Sequence, residues 1–152
     1  MADQIKLDGL EALIKACKGK LPVARVGILG KTNSRSGTEN SNATVGAAHE
    51  FGTTTMPQRS FLRMPLQEKL NGAINKSGLT EDVVLREVIK TRSVKLWLQK
   101  IGVLAEGIIL EAFASNGFGK WAKWKNPDYK NNTGNVLVDT QQLRNSITSD
   151  VK

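Results

Sequence analysis

The chain has one cysteine, one histidine and no long apolar run, and each of these scarcities excludes a class of protein. Cys17 alone cannot form an internal disulfide, which excludes a small secreted fold held by cystines. His49 alone cannot supply the several imidazoles of a typical zinc site. No apolar stretch approaches the length of about 20 residues that a helix needs to cross a bilayer. The N-terminus also lacks the basic start and apolar core of a secretory signal peptide. We therefore expect a protein made in a reducing cytoplasm, with no membrane span, metal or cofactor.

The chain length and the charge are the next constraints. Its 152 residues predict a single domain over 1–152. A domain of that size buries roughly 68–70% of the surface that its unfolded chain exposes. The net charge of +8 is compatible with general solubility or with a surface that faces nucleic acid. The basic excess is spread along the chain and not gathered into one arm. This distribution favours solubility and leaves the nucleic-acid interpretation open.

Hydrophobic periodicity predicts several helices and two strands. In chain order these are a helix over 4–18, a strand over 23–29, helices over 43–51 and 65–74, a helix beginning after Thr80, a helix over 93–115, a helical turn over 141–144 and a strand over 146–151. The helix over 93–115 has an apolar stripe that we predict to be the main core face, made of Trp97, Ile101, Leu104, Ile108 and Ala112. Antiparallel pairing of the two strands predicts an α+β fold, in which a small antiparallel sheet packs against several helices.

Residues 31–44 form a long polar segment between the first strand and the next helix. They contain almost nothing to bury, so contacts cannot offset the entropy lost on ordering them. Long loops of this kind are either functional or disordered. We therefore predict a flexible loop over 31–44.

Three candidate catalytic patterns do not meet their spacing or context. Gly27 and Gly30-Lys31-Thr32 resemble a phosphate-binding loop, but only two residues separate the glycines where that loop needs four. His49-Glu50 could begin a zinc-protease helix, but the second ligand would be at position 53, which is a threonine. Cys17 lies on the apolar stripe of the first predicted helix, where a small core residue is the simpler interpretation. The sequence therefore does not predict an enzyme.

Trp121 and Trp124 alternate with lysines near the C-terminal end of the chain. Aromatic rings between basic residues can stack on nucleic-acid bases while the lysines hold phosphates. The same spacing is typical of hydrophobic anchors in an irregular segment. We favour the anchor for both tryptophans and leave the stacking interpretation open.

Two segments resemble tailed-phage neck and tail-completion proteins, a group that includes the Mu-type virion morphogenesis protein. The first contains His49-Glu50-Phe51-Gly52-Thr53, then Met56-Pro57-Gln58-Arg59-Ser60-Phe61-Leu62-Arg63, and is similar to the family pattern H-E-[FY]-G-T…M-P-x-R-P-F-L-R. The second runs from Trp121 to Leu137-Val138-Asp139-Thr140-Gln141-Gln142-Leu143-Arg144-Asn145-Ser146-Ile147 and is similar to W…L-x-D-T-G-x-L-R-x-S-I. Ser60 replaces a proline of the family pattern, and Gln141 replaces a glycine.

The resemblance implies a structural virion protein and not an enzyme. Such a subunit would form a homo-oligomeric ring, expected to be a hexamer, at the head-tail junction, where it is needed to join head and tail. Its partners would be head-closure proteins and tail-tube or terminator proteins, with passive contact to genome DNA in the channel. Assembly would take place in the host cytoplasm. The alternatives are a tail terminator that caps the tail tube and a basic nucleic-acid-binding module.

The two resembling segments also contain the candidate site residues. We predict subunit contacts at the arginines, because arginine is favoured at interfaces, and we leave His49 and Glu50 open between a subunit contact and a local cap. The full set of interface candidates is His49, Glu50, Arg59, Arg63 and Arg144. We predict a positive φ angle at Gly52 and a cap at Asp139 and Thr140. The remaining motif residues are predicted to be structural, with Phe51, Phe61, Leu62 and Leu143 in the core and Pro57 and Trp121 supporting the irregular segments.

Overall fold

The fold is built from five helices and two strands in the part of the chain that the structure describes. The computed structural model describes residues 11, 14, 15, 18, 21–37, 39–91, 93–123, 136, 137 and 141–152. The elements are β1 (Ala24–Ile28), a 3-10 turn (Gly30–Thr32), α1 (Asn42–Phe51), α2 (Arg63–Lys76), α3 (Glu81–Thr91), α4 (Lys95–Ala114), the single-turn α5 (Gln142–Asn145) and β2 (Ile147–Val151). The predicted α+β class is confirmed. Most of the predicted helix over 4–18, including Cys17, lies outside the described residues.

The two strands form an antiparallel pair, as predicted. Ala24 lies opposite Val151, and Ile28 lies opposite Ile147. The exposed Arg25 side chain donates two hydrogen bonds to the carboxylate of its cross-strand neighbour Asp150, at 2.8 and 2.5 Å. Because β1 and β2 come from opposite ends of the described chain, their pairing places the C-terminal strand beside β1.

The hydrophobic core lies where α4 meets the chain around α2 and the C-terminal segment. Its buried members are Phe61, Ile109, Ala112, Phe113, Trp121, Leu137 and Leu143. The rings of Phe61 and Phe113 lie 5.1 Å apart between centroids, and Trp121 meets Phe113 edge-on at 5.9 Å. Such tilted and edge-on pairs are favoured by the ring quadrupoles. The cluster therefore joins residues of both resembling segments around α4.

The buried face of α4 differs from the predicted stripe. Ile108 and Ala112 are buried as expected, but Trp97, Ile101 and Leu104 are only half-buried. The other buried positions of the helix are Gly102, Ala105, Ile109 and Phe113. Because α4 carries apolar residues on nearly all sides, periodicity alone could not select which side packs inward.

Part of the segment 31–44 makes specific contacts, which corrects the expectation that it has almost nothing to bury; its predicted flexibility stays a prediction. Asn42 is 3% exposed, and its Nδ2 donates to the carbonyl of Thr32 at 2.9 Å. The backbone N–H of Ser36 donates to Oε1 of Gln142 at 2.8 Å. Asparagine and glutamine side chains thus satisfy backbone groups that the composition alone leaves without partners.

Gln141 occupies a backbone conformation that suits glycine better. Its φ angle is 58° at the residue preceding α5, and its side chain is exposed. A left-handed conformation costs a residue with a Cβ roughly 1–2 kcal/mol, part of which is offset by the lower entropy of its unfolded chain. We expect Gln141→Gly to raise the free energy of unfolding by about 0.5–1 kcal/mol. Denaturant unfolding measures this, with Gln141→Ala as the control that should give no gain.

Candidate functional site

A buried carboxylate connects the end of α1 to the start of α2. Glu50 is 5% exposed. Its Oε2 accepts from the backbone N–H of Phe61 at 2.9 Å and of Leu62 at 3.0 Å, and its Oε1 accepts from the N–H of Arg63 at 3.1 Å and from the hydroxyl of Ser60 at 2.6 Å. The first N–H groups of a helix have no partner within the helix and carry its positive dipole end. The carboxylate therefore caps the start of α2 and ties it to the end of α1.

The turn between the two helices brings the capped N–H groups back to Glu50. Gly52 has a φ angle of 75°, as predicted, and a Cβ there would lie 3.0 Å from the backbone nitrogen of Gln58. The hydroxyl of Thr53 accepts from the N–H of Met56 at 3.0 Å, and the N–H of Thr53 donates to the Met56 carbonyl at 2.9 Å. Pro57 follows this closed turn and is half-buried.

Arg59 points into the protein and not toward a neighbouring subunit. The residue is 1% exposed, and its Nε donates to the carbonyl of Ala122 at 2.9 Å. Its Nη2 lies 3.4 Å from the carbonyl of Lys123. Burial lowers the pKa of the guanidinium from its usual value. The burial of Arg59 corrects the prediction that its side chain contacts another subunit, and the burial of Glu50 favours the local cap of the two interpretations left open for it.

Trp121 completes the same cluster from the C-terminal side. It is 8% exposed, and its indole Nε1 donates to the carbonyl of Ser60 at 3.1 Å. The anchor interpretation is confirmed for Trp121, because a buried ring has no face free for a base. Trp124 lies outside the described residues. We call Glu50, Arg59, Ser60, Trp121 and the N–H groups at 61–63 the hub.

Ser60 belongs to the hub although the sequence analysis singled it out only as a departure from the family pattern. Its hydroxyl donates to Glu50 and accepts from the N–H of Met64 at 3.1 Å, and the residue is 6% exposed. A proline has no hydroxyl to make either bond. The signal that could have identified Ser60 is a serine just before a predicted helix, which often caps that helix.

The outer side of the hub is apolar and cationic. Phe51 is 66% exposed, which corrects the prediction that it lies in the core. The guanidinium of Arg63 lies 5.4 Å from the ring centroid of Phe51, within the range of a cation–π contact. Met64 is 41% exposed in the same first turn of α2. We call Phe51, Arg63 and Met64 the knob. Of the two arginines in the first resembling segment, Arg63 is the exposed one; its Nε lies 3.8 Å from Oε1 of Glu50, and half of its side chain faces solvent.

His49 is half-buried beside the hub. Its backbone carbonyl accepts from the N–H of Arg59 at 2.8 Å, and its Nδ1 is buried without a hydrogen-bond partner among the described residues. Burial, and then the positive charges of Arg59 and Arg35, lower its pKa to about 4. Of the two interpretations left open, the geometry favours a local structural role, in which Glu50 is the cap and His49 is a neutral neighbour.

Acid should destabilise the protein through His49. Its folded-state pKa of about 4 is below the ordinary 6.5, so the unfolded chain binds more protons as the pH falls from 6.5 to 4. Between pH 6.5 and pH 4 we expect the free energy of unfolding to drop by roughly 2 kcal/mol more in the native chain than in His49→Gln, after allowance for the partial exposure of His49. Unfolding at a series of pH values measures the difference. An NMR titration midpoint near 6.5 for this single histidine would contradict the expectation.

The remaining site predictions have mixed outcomes. Phe61 at 0% and Leu143 at 5% exposed are confirmed as core residues, whereas Leu62 is half-buried and packs against the core from its edge. Arg144 is half-buried, and no subunit contact tests its predicted role. Asp139 and Thr140 lie outside the described residues.

Comparisons with protein-family models, curated proteins and solved structures give no match to this chain. Within the described ranges, no group of three or more His, Cys, Asp and Glu side chains could hold a metal ion. Among those same residues, no helix is both long enough and apolar enough to cross a membrane.

Proposed function

We propose that this protein is a structural subunit of a tailed bacteriophage virion, one copy of a homo-oligomeric ring, expected to be hexameric, at the head-tail junction. The observation that carries the proposal is the hub. Residues of the two resembling segments, far apart in sequence, form one hydrogen-bonded cluster through Glu50, Arg59 and Trp121. The two segments thus contribute to one hydrogen-bonded scaffold. On its outer side the motif presents the knob.

The chemistry of the hub supports a structural role. Glu50 and Arg59 are the buried charged side chains of the described residues, and both bind backbone groups of their own chain. A catalytic carboxylate needs an oxygen that can reach a substrate, whereas both oxygens of Glu50 already accept two hydrogen bonds each. The knob instead offers aromatic, arginine and methionine side chains, which are enriched at protein interfaces.

Deleting the gene from its phage tests the proposal. We expect lysates to contain DNA-filled heads and separate tails by electron microscopy, and a plasmid copy of the gene to restore joined virions. Normal joined virions without the gene would contradict the proposal. That outcome would favour the nucleic-acid-binding alternative, which predicts DNA binding by the purified protein that weakens steeply as salt is raised.

A further inference from the structure

Two exposed apolar surfaces lie toward opposite ends of α2. The first is the knob, at its first turn. The second is a groove of about 650 Å³ between the last turns of α2 and the middle of α4. We call it the α2–α4 groove, and its lining includes Ala73, Ser77, Val103, Leu104, Gly107 and Ile108. From Arg63 to Ala73 the helix rises about 15 Å, so the two surfaces are separate.

The knob and the α2–α4 groove contain the two most exposed large apolar side chains of the described residues. Phe51 is 66% exposed and Val103 is 65% exposed. The groove floor is open at Gly107, where a Cβ would meet nothing within 4 Å. Both surfaces expose apolar side chains, so each can be buried by the other. Leaving both in water forfeits the free energy of burying them, about 25 cal/mol per Å² of apolar surface.

The charges at the two surfaces are also complementary. Arg63 in the knob is cationic, and its side chain is 51% exposed although its Nε lies 3.8 Å from Oε1 of the buried Glu50 of its own chain. Glu111 lines the α2–α4 groove and is exposed. The lysine of the groove, Lys100, is already paired with Glu87 at 3.1 Å. Seating the knob in a groove would therefore bring the arginine toward a carboxylate, which favours this partner over a cationic one.

We propose that the occupant of the α2–α4 groove is the knob of a second copy of this chain, with Phe51 against Val103 and Arg63 near Glu111. A contact between two different surfaces is heterologous, and repetition of a heterologous contact closes a ring when the rotation permits. The inference rests on the proposed ring function and identifies the surfaces that form the ring.

Engineered cysteines test the contact directly. In a chain carrying Cys17→Ser, the double variant Phe51→Cys with Val103→Cys is purified, concentrated and oxidised. We expect a ladder of dimers, trimers and larger disulfide-linked species. Each single variant should stay essentially monomeric, because a head-to-tail contact never places two copies of position 51, or two of position 103, together. The matched control pairs Phe51→Cys with Leu96→Cys, since Leu96 is 46% exposed on α4 but does not line the groove.

The other outcomes would overturn the proposed contact. Dimers from a single variant would indicate a symmetric interface, and equal ladders from the double variant and its control would indicate random collision. Monomers alone from the double variant, together with sedimentation of the native chain as a monomer at every concentration, would exclude direct docking of the knob in a neighbouring groove. If that result came with separated heads and tails on gene deletion, the ring contact would fail while the proposed function stood. Joined virions on deletion would contradict the function itself.

Discussion

Glu50→Gln is expected to lower the free energy of unfolding by about 3 kcal/mol. The carboxylate accepts four hydrogen bonds at the hub, three of them from the backbone N–H groups at 61–63. A glutamine side chain has one acceptor oxygen, and its NH₂ group would face N–H donors that are shielded from water. The substitution also removes the negative charge at the positive end of the α2 dipole. Thermal or denaturant unfolding of the purified chain measures the loss.

Glu68→Gln is the matched control for Glu50→Gln. Glu68 pairs with Lys120 at 2.6 Å, but both side chains are substantially exposed. Exposed ion pairs of this type contribute about 0–1 kcal/mol, so the control should cost less than 1 kcal/mol. Similar losses for the two variants would show that the buried cap does not stabilise the fold as the geometry indicates.

Gly117→Ala is expected to cost about 3–4 kcal/mol, because two effects combine at this position. Gly117 has a φ angle of 65°, which disfavours any residue with a Cβ. A Cβ there would also overlap the indole ring of Trp121, which is buried and donates to the carbonyl of Ser60. The ring would have to move and give up that hydrogen bond, so the hub would be damaged from its C-terminal side. Denaturant unfolding gives the value.

Gly119→Ala separates the two effects. Gly119 has a φ angle of 79°, but a Cβ there would meet nothing within 4 Å. We therefore expect it to cost about 1 kcal/mol, from the left-handed conformation alone. A Gly117→Ala loss no larger than this would mean that the indole adjusts without penalty and that its position is not fixed by the hub.

The strands and most helix positions could be predicted because their signals are local. The β-branched run before Gly30 and the alternation after Ser146 identify β1 and β2, and the helix bounds fall within a few residues of those predicted. Gly52 was also predictable, since glycine suits a turn with positive φ. These features depend on neighbouring residues along the chain and need no knowledge of what packs against them.

The inward side chain at the end of α1 could not be predicted in the same way. Hydrophobicity ranks Phe51 above Glu50 for burial, yet Glu50 is buried and Phe51 is exposed. Burying a carboxylate is favourable only where several donors converge on it, and here they come from residues 10 to 13 positions later. Sequence analysis identified Glu50 as a candidate and left its role open. The closed turn between α1 and α2 decided that role.

Local signals sufficed to predict the class of fold, the order of the described elements and the set of candidate residues, because propensity, periodicity and turn chemistry act over short distances along the chain. Which faces are buried depends on contacts between segments that are distant in sequence. These contacts bury Arg59 against the carbonyls of Ala122 and Lys123, select the inward side of a helix that carries apolar residues on nearly all sides, and leave Phe51 and Val103 in water. Each outcome depends on the donors, acceptors and cavities that distant segments bring together, and no local pattern encodes them.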